Sequence, residues 1–310
     1  MRVYRSYSRP VPMPTALAVG NFDGVHLGHG ALLQRLVDVA RQQHLVPTVL
    51  TFEPHPREFF APESAPARLT TLREKLELLA GGGAEQVMVC HFNAGFAALD
   101  ASDFVERVLV RGLRAQHVII GDDFRFGRGR QGDFPFLQAA GLRWGFGIEA
   151  LGSVLVEGAR VSSSSVREAL AAGDMERAAL LLGRPYVIDG RVVHGEKIGR
   201  RIGFPTANIR IKHDPLPMTG VFAVEVEGLG GAPWPGVWPG VANLGVRPTL
   251  GGTRPLLEVH LFDFDRDIYG AHLSVRFVHK LRNEQKFPNF DALKTQIALD
   301  VQAARIYFKR

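Results

Sequence analysis

Residues 20–29, which read Gly-Asn-Phe-Asp-Gly-Val-His-Leu-Gly-His, constrain this chain more than any other segment. They follow an apolar run at 16–19 and lead into an amphipathic segment at 31–43. This order predicts a strand, a glycine-rich turn and a helix. A helix N-terminus favours bound phosphate through its free N–H groups and its dipole. Two histidines three residues apart, His26 and His29, lie on one face of the first helical turn and can donate to phosphoryl oxygens. The segment predicts a nucleotide-phosphate site.

Charge and cysteine content limit the classes of protein that the chain can belong to. The formal net charge is +6, and the basic residues are scattered rather than run together. ATP or pyrophosphate suits this balance, and we expect no nucleic-acid partner. The single cysteine, Cys90, excludes a disulfide framework, and its apolar neighbours predict a buried thiol. No signal peptide and no apolar run near the roughly 18 residues of a membrane span are seen, which predicts a cytoplasmic protein without membrane contact.

The two halves of the chain differ in their predicted secondary structure. Up to about residue 183, strand-like and helix-like segments alternate, which predicts a parallel sheet covered by helices. The predicted strands are 16–19, 45–51, 86–91 and 116–121, and the predicted helices include 31–43, 72–80, 102–112 and 175–182. Beyond Gly183-Arg184-Pro185, β-rich segments at 186–194, 220–227, 237–243, 256–264 and 272–281 precede one helix at 290–308. This pattern predicts an antiparallel barrel or sandwich with a C-terminal helix. We therefore predict two domains, 1–183 and 184–310.

The loop at 122–132 follows a predicted buried strand. Ligands of a parallel sheet bind at the carboxyl ends of its strands, where this loop falls. Three glycines match a dinucleotide fingerprint by letter, but they do not join a strand directly to a helix, so we reject that interpretation. Aromatic residues beside arginines suit a planar ring that carries a phosphate. A mobile basic surface loop is the alternative.

Four serines at 162–165 precede a predicted helix that runs to about Ala172. Ser165 and Glu168 form a capping-box pattern, which explains one of these serines. The other hydroxyls, with Arg167 in the first turn, predict a second polyphosphate site. We disfavour a nucleophilic serine because the chain contains no Gly-x-Ser-x-Gly sequence.

The second half has its own phosphate segment at 199–208. Gly199 and Gly203 permit close approach of the backbone to phosphate, and arginines between them add charge. Thr206 and Asn208 supply neutral oxygens of the kind that magnesium accepts. The residues at 243–249 are predicted to form a turn that could face this segment.

Glu258 lies in an apolar strand segment, where alternation places it on one face with His260 and Phe262. A carboxylate there is unfavourable unless it is paired, coordinated or catalytic. A solvent-facing strand position is the alternative.

Taken together, these motifs resemble the prokaryotic bifunctional riboflavin kinase/FAD synthetase family. Residues 20–29, 121–127 and 162–167 are similar to its adenylyltransferase module. Residues 203–208, 240–245, 257–260 and 281–287 are similar to its kinase module. The resemblance covers nearly the whole chain in the same order.

The resemblance implies a fold and two reactions. The fold is an α/β, nucleotidyltransferase-like (Rossmann-like) N-terminal domain plus a mainly β, six-stranded riboflavin-kinase barrel with a C-terminal helix. The reactions are phosphorylation of riboflavin by ATP to FMN, and adenylylation of FMN by a second ATP to FAD and pyrophosphate, with Mg²⁺ as the metal. The partners are then small molecules, and the oligomeric state stays open.

The resemblance also implies roles for individual residues. Glu258, His26, His29 and Arg167 would be the catalytic residues, with Glu258 as the base for the ribityl 5′-hydroxyl. The adenylyltransferase would bind ATP through Gly20, Asn21, Phe22, Asp23, Gly24, His26, His29, Ser162, Ser163, Ser164 and Arg167. It would bind the flavin through Asp123, Phe124 and Phe126. The kinase would bind ATP through Gly199, Gly203, Pro205, Thr206, Asn208 and Asn243, flavin through Arg282, Glu284 and Phe287, and metal through Thr206 and Asn208.

Two other classes compete with this hypothesis. A nucleotidyltransferase for pantetheine or nicotinamide phosphates would share the first phosphate site, but the module at 185–310 argues against it. A non-catalytic basic nucleotide- or RNA-binding protein would not require Glu258, His26 and His29 together, and its binding to polyanions would be salt-sensitive.

Overall fold

A computed structural model of the chain describes residues 1–195, 199, 203–229, 236–249 and 252–309. The arginines of the predicted phosphate segment, Arg200 and Arg201, lie outside the described residues. The chain divides into two compact units: Met1–Pro66 with Leu72–Ser162, and Ala67–Thr71 with Ser163–Arg310. No helix of the described residues is long and apolar enough to cross a membrane.

The first unit contains a six-stranded sheet whose strand pairs are all parallel. In sheet order the strands are β1 (Arg2–Tyr4), β4 (Gln86–His91), β3 (Val46–Glu53), β2 (Thr15–Val19), β5 (Ala115–Gly121) and β6 (Gly147–Leu151). The prediction of a parallel α/β domain is therefore confirmed. The edge strands β1 and β6 were not predicted from the sequence, because many of their residues are exposed or partly exposed and form no continuous apolar run.

Helices cover both faces of this sheet. They are α1 (Leu27–Gln43), α2 (Pro56–Phe60), α3 (Leu72–Gly81), α4 (Ala94–Ala97), α5 (Ala101–Asp103) with a π-helical continuation Phe104–Gly112, and α6 (Phe134–Trp144). 3₁₀ turns occupy Pro62–Ser64 and Arg128–Arg130, and a short hairpin joins β7 (Leu155–Val156) to β8 (Ala159–Arg160). Alternate residues of β2 enter two cores, with Ala16 and Ala18 in one and Leu17 and Val19 in the other.

The strand order reverses beside β2, which has β3 on one side and β5 on the other. A reversal of this kind opens a crevice at the carboxyl ends of the strands, where ligands of such sheets bind. The loops at 20–26 and 122–133 follow β2 and β5 directly. The topology therefore brings the two predicted loops to the same edge of the sheet.

The second unit is built on a closed six-stranded barrel in which every pair is antiparallel. In barrel order the strands are β10 (Ala207–Arg210), β13 (Gly252–Leu261), β12 (Trp238–Thr249), β11 (Gly220–Glu227), β14 (His272–Arg282) and β9 (Tyr186–Val193). The barrel, one of the two predicted alternatives, is confirmed. The predicted turn at 243–249 is wrong, because these residues continue β12 and pair with β13. The four-residue β10 escaped the sequence analysis because it is short and follows a proline.

Helix α9 (Phe290–Phe308) packs on the outside of the barrel, with the bounds that the sequence predicted. Its Ala304 and Val301 contact outward-facing residues such as Val221 and Val241. The opposite faces of the strands fill the barrel interior, where Phe222 and Leu257 are fully buried.

The helices α7 (Ser163–Ala172) and α8 (Met175–Leu182) belong to the compact unit of the barrel. The Tyr186 hydroxyl donates a hydrogen bond to the carbonyl of Leu69, at 3.1 Å. The compact units thus separate after Ser162, upstream of the predicted boundary at 183/184. Helix α7 also begins at Ser163, so Ser165 lies inside its first turn and not at the predicted N-cap.

Candidate active sites

The loop between β2 and α1 has a strained backbone. Phe22 and Val25 have φ angles of 50° and 41°, a region that residues with side chains rarely adopt, and Gly24 has φ 82°. Phe22 is fully buried, so core packing holds the loop in this conformation. Strain of this kind clusters at ligand-binding sites.

His26 is the N-cap of α1, one residue before the predicted first turn. Its Nδ1 accepts a hydrogen bond from the backbone N–H of His29, at 3.3 Å. Because Nδ1 is an acceptor, the neutral ring carries its proton on Nε2. His26 therefore presents an Nε2–H donor.

His29 stacks on His26, with ring centroids 3.8 Å apart and 19° between the ring planes. Its Nδ1 is buried and has no hydrogen-bond partner among the described residues. Burial, followed by the nearby His26 and Lys75, lowers the pKa of His29 well below 6.5. The lowered pKa keeps the His29 ring neutral at physiological pH, with one ring nitrogen that makes no hydrogen bond within the part of the chain that the structure describes.

Lys75 is a site residue that the sequence analysis missed. It is a buried lysine on α3, with 4% of its surface exposed, and its charge acts on His29. A signal was present, because Lys75 shares a helical face with Leu72 and Leu79. A lysine within an apolar stripe is unusual, because lysine is rarely buried unless its charge is paired.

The loop at 122–132 is anchored on both sides. A carboxylate oxygen of Asp123 lies 2.7 Å from Nη2 of Arg160, and one of Asp122 lies 3.5 Å from the same nitrogen. Phe126 and Gly132 exchange two backbone hydrogen bonds, of 3.1 and 2.9 Å. These contacts favour an ordered loop over the alternative of an unattached surface loop.

Phe126 lies in the core, with 6% of its surface exposed. Its ring packs against Phe104 at 5.1 Å and against Phe124 at 5.7 Å between centroids, the latter pair being stacked. Phe126 is therefore a core residue that supports Phe124, and its contact with the flavin stays a prediction. Phe124 is partly exposed and remains available to a ligand.

A row of aromatic rings continues from this point to the surface. Phe104 contacts Phe96, Phe96 contacts Phe92, and Phe92 contacts both Phe59 and Phe60 at 5.6 Å between centroids. Phe60 is 67% exposed. This row could not be predicted from the sequence, because its members come from three segments that only the fold brings together.

The serine segment enters α7. Ser164 is exposed at the start of the helix, and Ser162 and Ser163 are partly exposed. Nε of Arg167 donates a hydrogen bond to the carbonyl of Ala67, at 2.6 Å. That these residues bind the phosphates of ATP stays a prediction.

In the barrel, three predicted site residues form one row across neighbouring strands. Glu258 of β13 is directly opposite Asn208 of β10 and directly opposite Asn243 of β12. Directly opposed residues share a face and have Cβ atoms roughly 4.5–5.5 Å apart. The adjacent row, which contains Leu257, faces the buried interior, so Glu258 and both asparagines lie on the outer face and are partly exposed.

The segment that leads into β10 is folded tightly. The backbone N–H of Phe204 donates to the carbonyl of Gly199 at 2.8 Å, and a Cβ on Gly199 would lie 3.1 Å from Oγ1 of Thr206. Gly203 has φ 91°. Both glycines are therefore required by the turn that presents Thr206.

Two further contacts hold this segment, one from β13 and one from the residues after β9. Nδ1 of His260 donates a hydrogen bond to the carbonyl of Pro205 at 2.9 Å. A Cβ on Gly195 would overlap the side-chain amide of Asn208. Neutral oxygens from Thr206 and Asn208 beside the Glu258 carboxylate form a donor set that fits Mg²⁺, which takes few protein ligands and keeps waters and phosphates.

A pocket adjoins Thr206 at one end of the barrel. Inward-facing Val192, Val259 and Leu261 form its apolar wall. The loop after β13 completes it with polar and aromatic residues, namely Phe264, Asp265, Arg266, Asp267, Ile268 and Tyr269. The sequence did not lead us to predict that this loop lines a pocket. Its run of alternating charges beside Ile268 and Tyr269 could have indicated a binding loop.

The segment after β14 has two different environments. Arg282 is bound by Asp300 of α9 through Nε and Nη2, each 2.8 Å from a carboxylate oxygen, and its guanidinium lies 5.7 Å from the Phe287 ring. Glu284 accepts a hydrogen bond from Asn243. The predicted flavin ligand Arg282 thus serves as an anchor for α9.

Comparison with known proteins gives a consistent result for both units. The FAD synthetase family matches residues 8–165, and the riboflavin kinase family matches residues 182–308. Bifunctional riboflavin kinase/FMN adenylyltransferases from Escherichia coli K12 and Pseudomonas fluorescens are 51% and 50% identical to this chain. The alignments cover 94% and 96% of this chain, and 92% and 94% of the relatives.

The fold is also shared with a solved structure. The crystal structure of a protein from Streptococcus pneumoniae, described there as a macrolide-efflux protein, has a TM-score of 0.84 and 28% sequence identity. The alignment of the two structures covers 98% of this chain and 99% of the Streptococcus pneumoniae chain. This chain belongs to the bifunctional riboflavin kinase/FMN adenylyltransferase family, whose members phosphorylate riboflavin to FMN and adenylylate FMN to FAD.

Proposed function

We propose that the two reactions take place at two separate sites. FMN adenylylation uses the histidine pair of the first unit, and riboflavin phosphorylation uses the row of Asn208, Glu258 and Asn243 on the barrel. The observation that carries this assignment is the position of Glu258 between two asparagines on neighbouring strands. We also propose the catalytic domains 1–183 and 184–310. The two family matches, at 8–165 and 182–308, support a division of the chain into two catalytic parts.

At the kinase site, Glu258 acts as the general base. Its carboxylate accepts the proton of the ribityl 5′-hydroxyl, and the oxygen attacks the γ-phosphorus of ATP while ADP leaves. The pocket beside Thr206 receives the adenine and ribose, because its apolar wall adjoins the tight turn that would hold the phosphates. Thr206 and Asn208 would hold Mg²⁺, which would neutralise charge on the phosphates when bound.

At the adenylyltransferase site, an FMN phosphate oxygen attacks the α-phosphorus of ATP, the bond to the β-phosphate breaks, and pyrophosphate leaves. The attacking oxygen is already anionic, so no base is required and positioning with charge stabilisation suffices. The Nε2–H of His26 and the ring of His29 donate to the phosphoryl oxygens. Lys75 supplies a positive charge close to them.

The flavin ring of FMN binds on the exposed end of the aromatic row. Phe60 and Phe59 offer ring faces at this end, whereas Phe124, beside Asp123, offers a ring face at the opposite end of the row. Offset stacking on such rings contributes about 0.5–1.5 kcal/mol for each pair beyond burial of area. The row thus supplies an apolar platform at the carboxyl edge of the sheet.

Small molecules are the proposed partners: ATP, riboflavin and FMN. We propose a cytoplasmic location, which is where ATP is available and where a lone thiol such as that of Cys90 stays reduced. That the protein binds neither nucleic acid nor membrane stays a prediction, and its oligomeric state stays open.

One experiment tests the assignment of the two sites. The protein is incubated with riboflavin, ATP and Mg²⁺, and FMN and FAD are separated by chromatography. Glu258→Ala should lower FMN formation by about 10²–10⁴-fold while FMN is still converted to FAD, and His29→Ala should do the reverse. Glu176→Ala and His91→Ala, two exposed residues, serve as matched controls. Loss of both activities in either variant, with the fold intact, would show that the sites are not separate.

A further inference from the structure

Glu284 is folded back onto β12 after the end of β14. Its carboxylate lies over Gly245, where a Cβ would come within 2.6 Å of Oε2. It also accepts a hydrogen bond from the side chain of Asn243. Asn243 and Gly245 are two residues apart on one strand and share a face, so the missing side chain at Gly245 makes room for this contact.

The hydrogen bond determines the orientation of the Asn243 amide. A carboxylate only accepts, so Nδ2 of Asn243 must be the donor, and the position of Oδ1 follows. The residue directly opposite Asn243 on β13 is Glu258. Because Glu284 holds one side of the Asn243 amide, this amide has a single orientation next to Glu258, the proposed base.

Glu284 is itself held by the anchor of α9. The preceding Arg282 is bound bidentately by Asp300, which also accepts a hydrogen bond from Gln296 at 3.0 Å. Nη1 of Arg282 donates to the carbonyl of Asn283 at 3.0 Å, which fixes the backbone next to Glu284. Burial raises the pKa of Glu284, while Asn243 and Arg282 oppose that rise and stabilise the ionised carboxylate.

We propose that Glu284 is a positioning residue of the kinase site: it holds one N–H of the Asn243 amide, so that the second Nδ2–H donates to the Glu258 carboxylate and orients the proposed base. The proposal rests on the assignment of Glu258 as the base. It gives Glu284 a role that does not require contact with the flavin, in contrast to the role that the family resemblance implies.

The expected effects follow from the geometry. Glu284→Ala removes the acceptor, frees the amide and should lower kcat for FMN formation by about tenfold to a hundredfold, with less than about a twofold change in KM for riboflavin. Glu284→Gln keeps an oxygen acceptor of the same reach and should restore kcat to within about threefold of the unmodified enzyme.

Gly245→Ala tests the contact between Glu284 and β12 by a change on β12. The added methyl group would overlap the carboxylate of Glu284 and displace it, although Glu284 itself is unchanged. We expect the kinetic pattern of Glu284→Ala, and a double variant that is less than about threefold worse than either single variant, because both changes remove one contact. Gln285→Ala, a change at the exposed next residue, should be neutral.

The test measures steady-state FMN formation for these variants, with FMN-to-FAD conversion and the thermal midpoint as checks on folding. The proposal is overturned if Glu284→Ala keeps the original kcat, if Glu284→Gln is as impaired as Glu284→Ala, or if the effect is confined to KM for riboflavin. The Glu284 pair decides the outcome even if Gly245→Ala loses its fold. Glu258→Gln is measured alongside: activity in that variant would refute the assignment of the base, whereas an inactive Glu258→Gln with an unaffected Glu284→Ala would refute only the positioning role.

Discussion

Arg282 and Asp300 form a bidentate ion pair between the end of β14 and the middle of α9, with Nε and Nη2 each 2.8 Å from a carboxylate oxygen. The pair is shielded from solvent, since the two side chains are 16% and 6% exposed. It attaches the C-terminal helix to the barrel at the segment that carries Glu284. The pair therefore links the covering helix to the proposed kinase site.

Removal of one partner of this pair should destabilise the folded protein. Asp300→Ala leaves the Arg282 guanidinium largely buried without its counter-charge, a change that typically destabilises a protein by about 3–5 kcal/mol. The free energy of urea unfolding checks this value. Asp263→Ala breaks the exposed pair between α9 and Asp263, whose side chain is 77% exposed, and should have little effect. Equal losses in the two variants would contradict the argument.

Gly28 and Gly30 should respond in opposite ways to alanine. A Cβ on Gly28 would lie 3.1 Å from Cε1 and 3.2 Å from Nδ1 of His26, whereas a Cβ on Gly30 would meet nothing within 4 Å. Gly28→Ala should therefore displace the His26 ring and lower the rate of FMN-to-FAD conversion by about tenfold or more. Gly30→Ala should keep that rate and stabilise α1 by about 0.5–1 kcal/mol. FMN formation from riboflavin should be unchanged in both.

Phe60→Ala should weaken FMN binding without loss of stability. Phe60 is 67% exposed and contributes little to the core, so its removal should leave the thermal midpoint within about 1 °C. If its ring stacks on the flavin, KM for FMN should rise by about threefold to tenfold. Leu142→Ala, at a residue that is 90% exposed, is the matched control. An unchanged KM in Phe60→Ala would remove the flavin from this end of the row.

His29 should make stability depend on pH. The pKa of His29 is well below 6.5 in the folded chain, so below pH 6.5 the unfolded chain binds a proton that the folded chain does not. Stability is therefore complete above pH 6.5 and falls by up to about 1.4 kcal/mol per pH unit below it. His29→Gln should reduce this slope between pH 7.5 and 5.5 in urea unfolding, and His91→Gln should not. A steeper slope in His29→Gln would contradict the sign.

Cys90 should be unreactive in the folded protein. It is buried in β4, and burial raises the pKa of its thiol to about 12. Since the thiolate is the reactive form, alkylation at pH 8 should modify essentially no Cys90 until the chain is unfolded, when one equivalent should react. Rapid modification of the native protein would show that β4 opens locally.

Much of the fold could be predicted because the relevant patterns are local. β2 is a nearly continuous apolar run and β5 contains the apolar run Val118–Ile120, since both faces of a central parallel strand are covered, and α9 begins at a capping asparagine. β1, β6 and β10 were missed for the converse reason: short or half-exposed strands owe their existence to pairing partners that are distant in sequence. The change from alternating strands and helices to mostly strands predicted a second domain. The local sequence pattern did not show that α7 and α8 belong to the compact unit of the barrel.

The sequence by itself determined which chemistry is present: the histidine pair at a helix entry, the glycine turn before Thr206, and a carboxylate within an apolar strand. Only the tertiary structure decided how these groups are arranged. Strand register placed Glu258 between Asn208 and Asn243, folding of α3 brought Lys75 to His29, and the return of the chain after β14 set Glu284 on Asn243. The physical reason is that periodicity along a chain records which faces are buried, whereas a contact between distant segments depends on register and packing, which no single segment encodes.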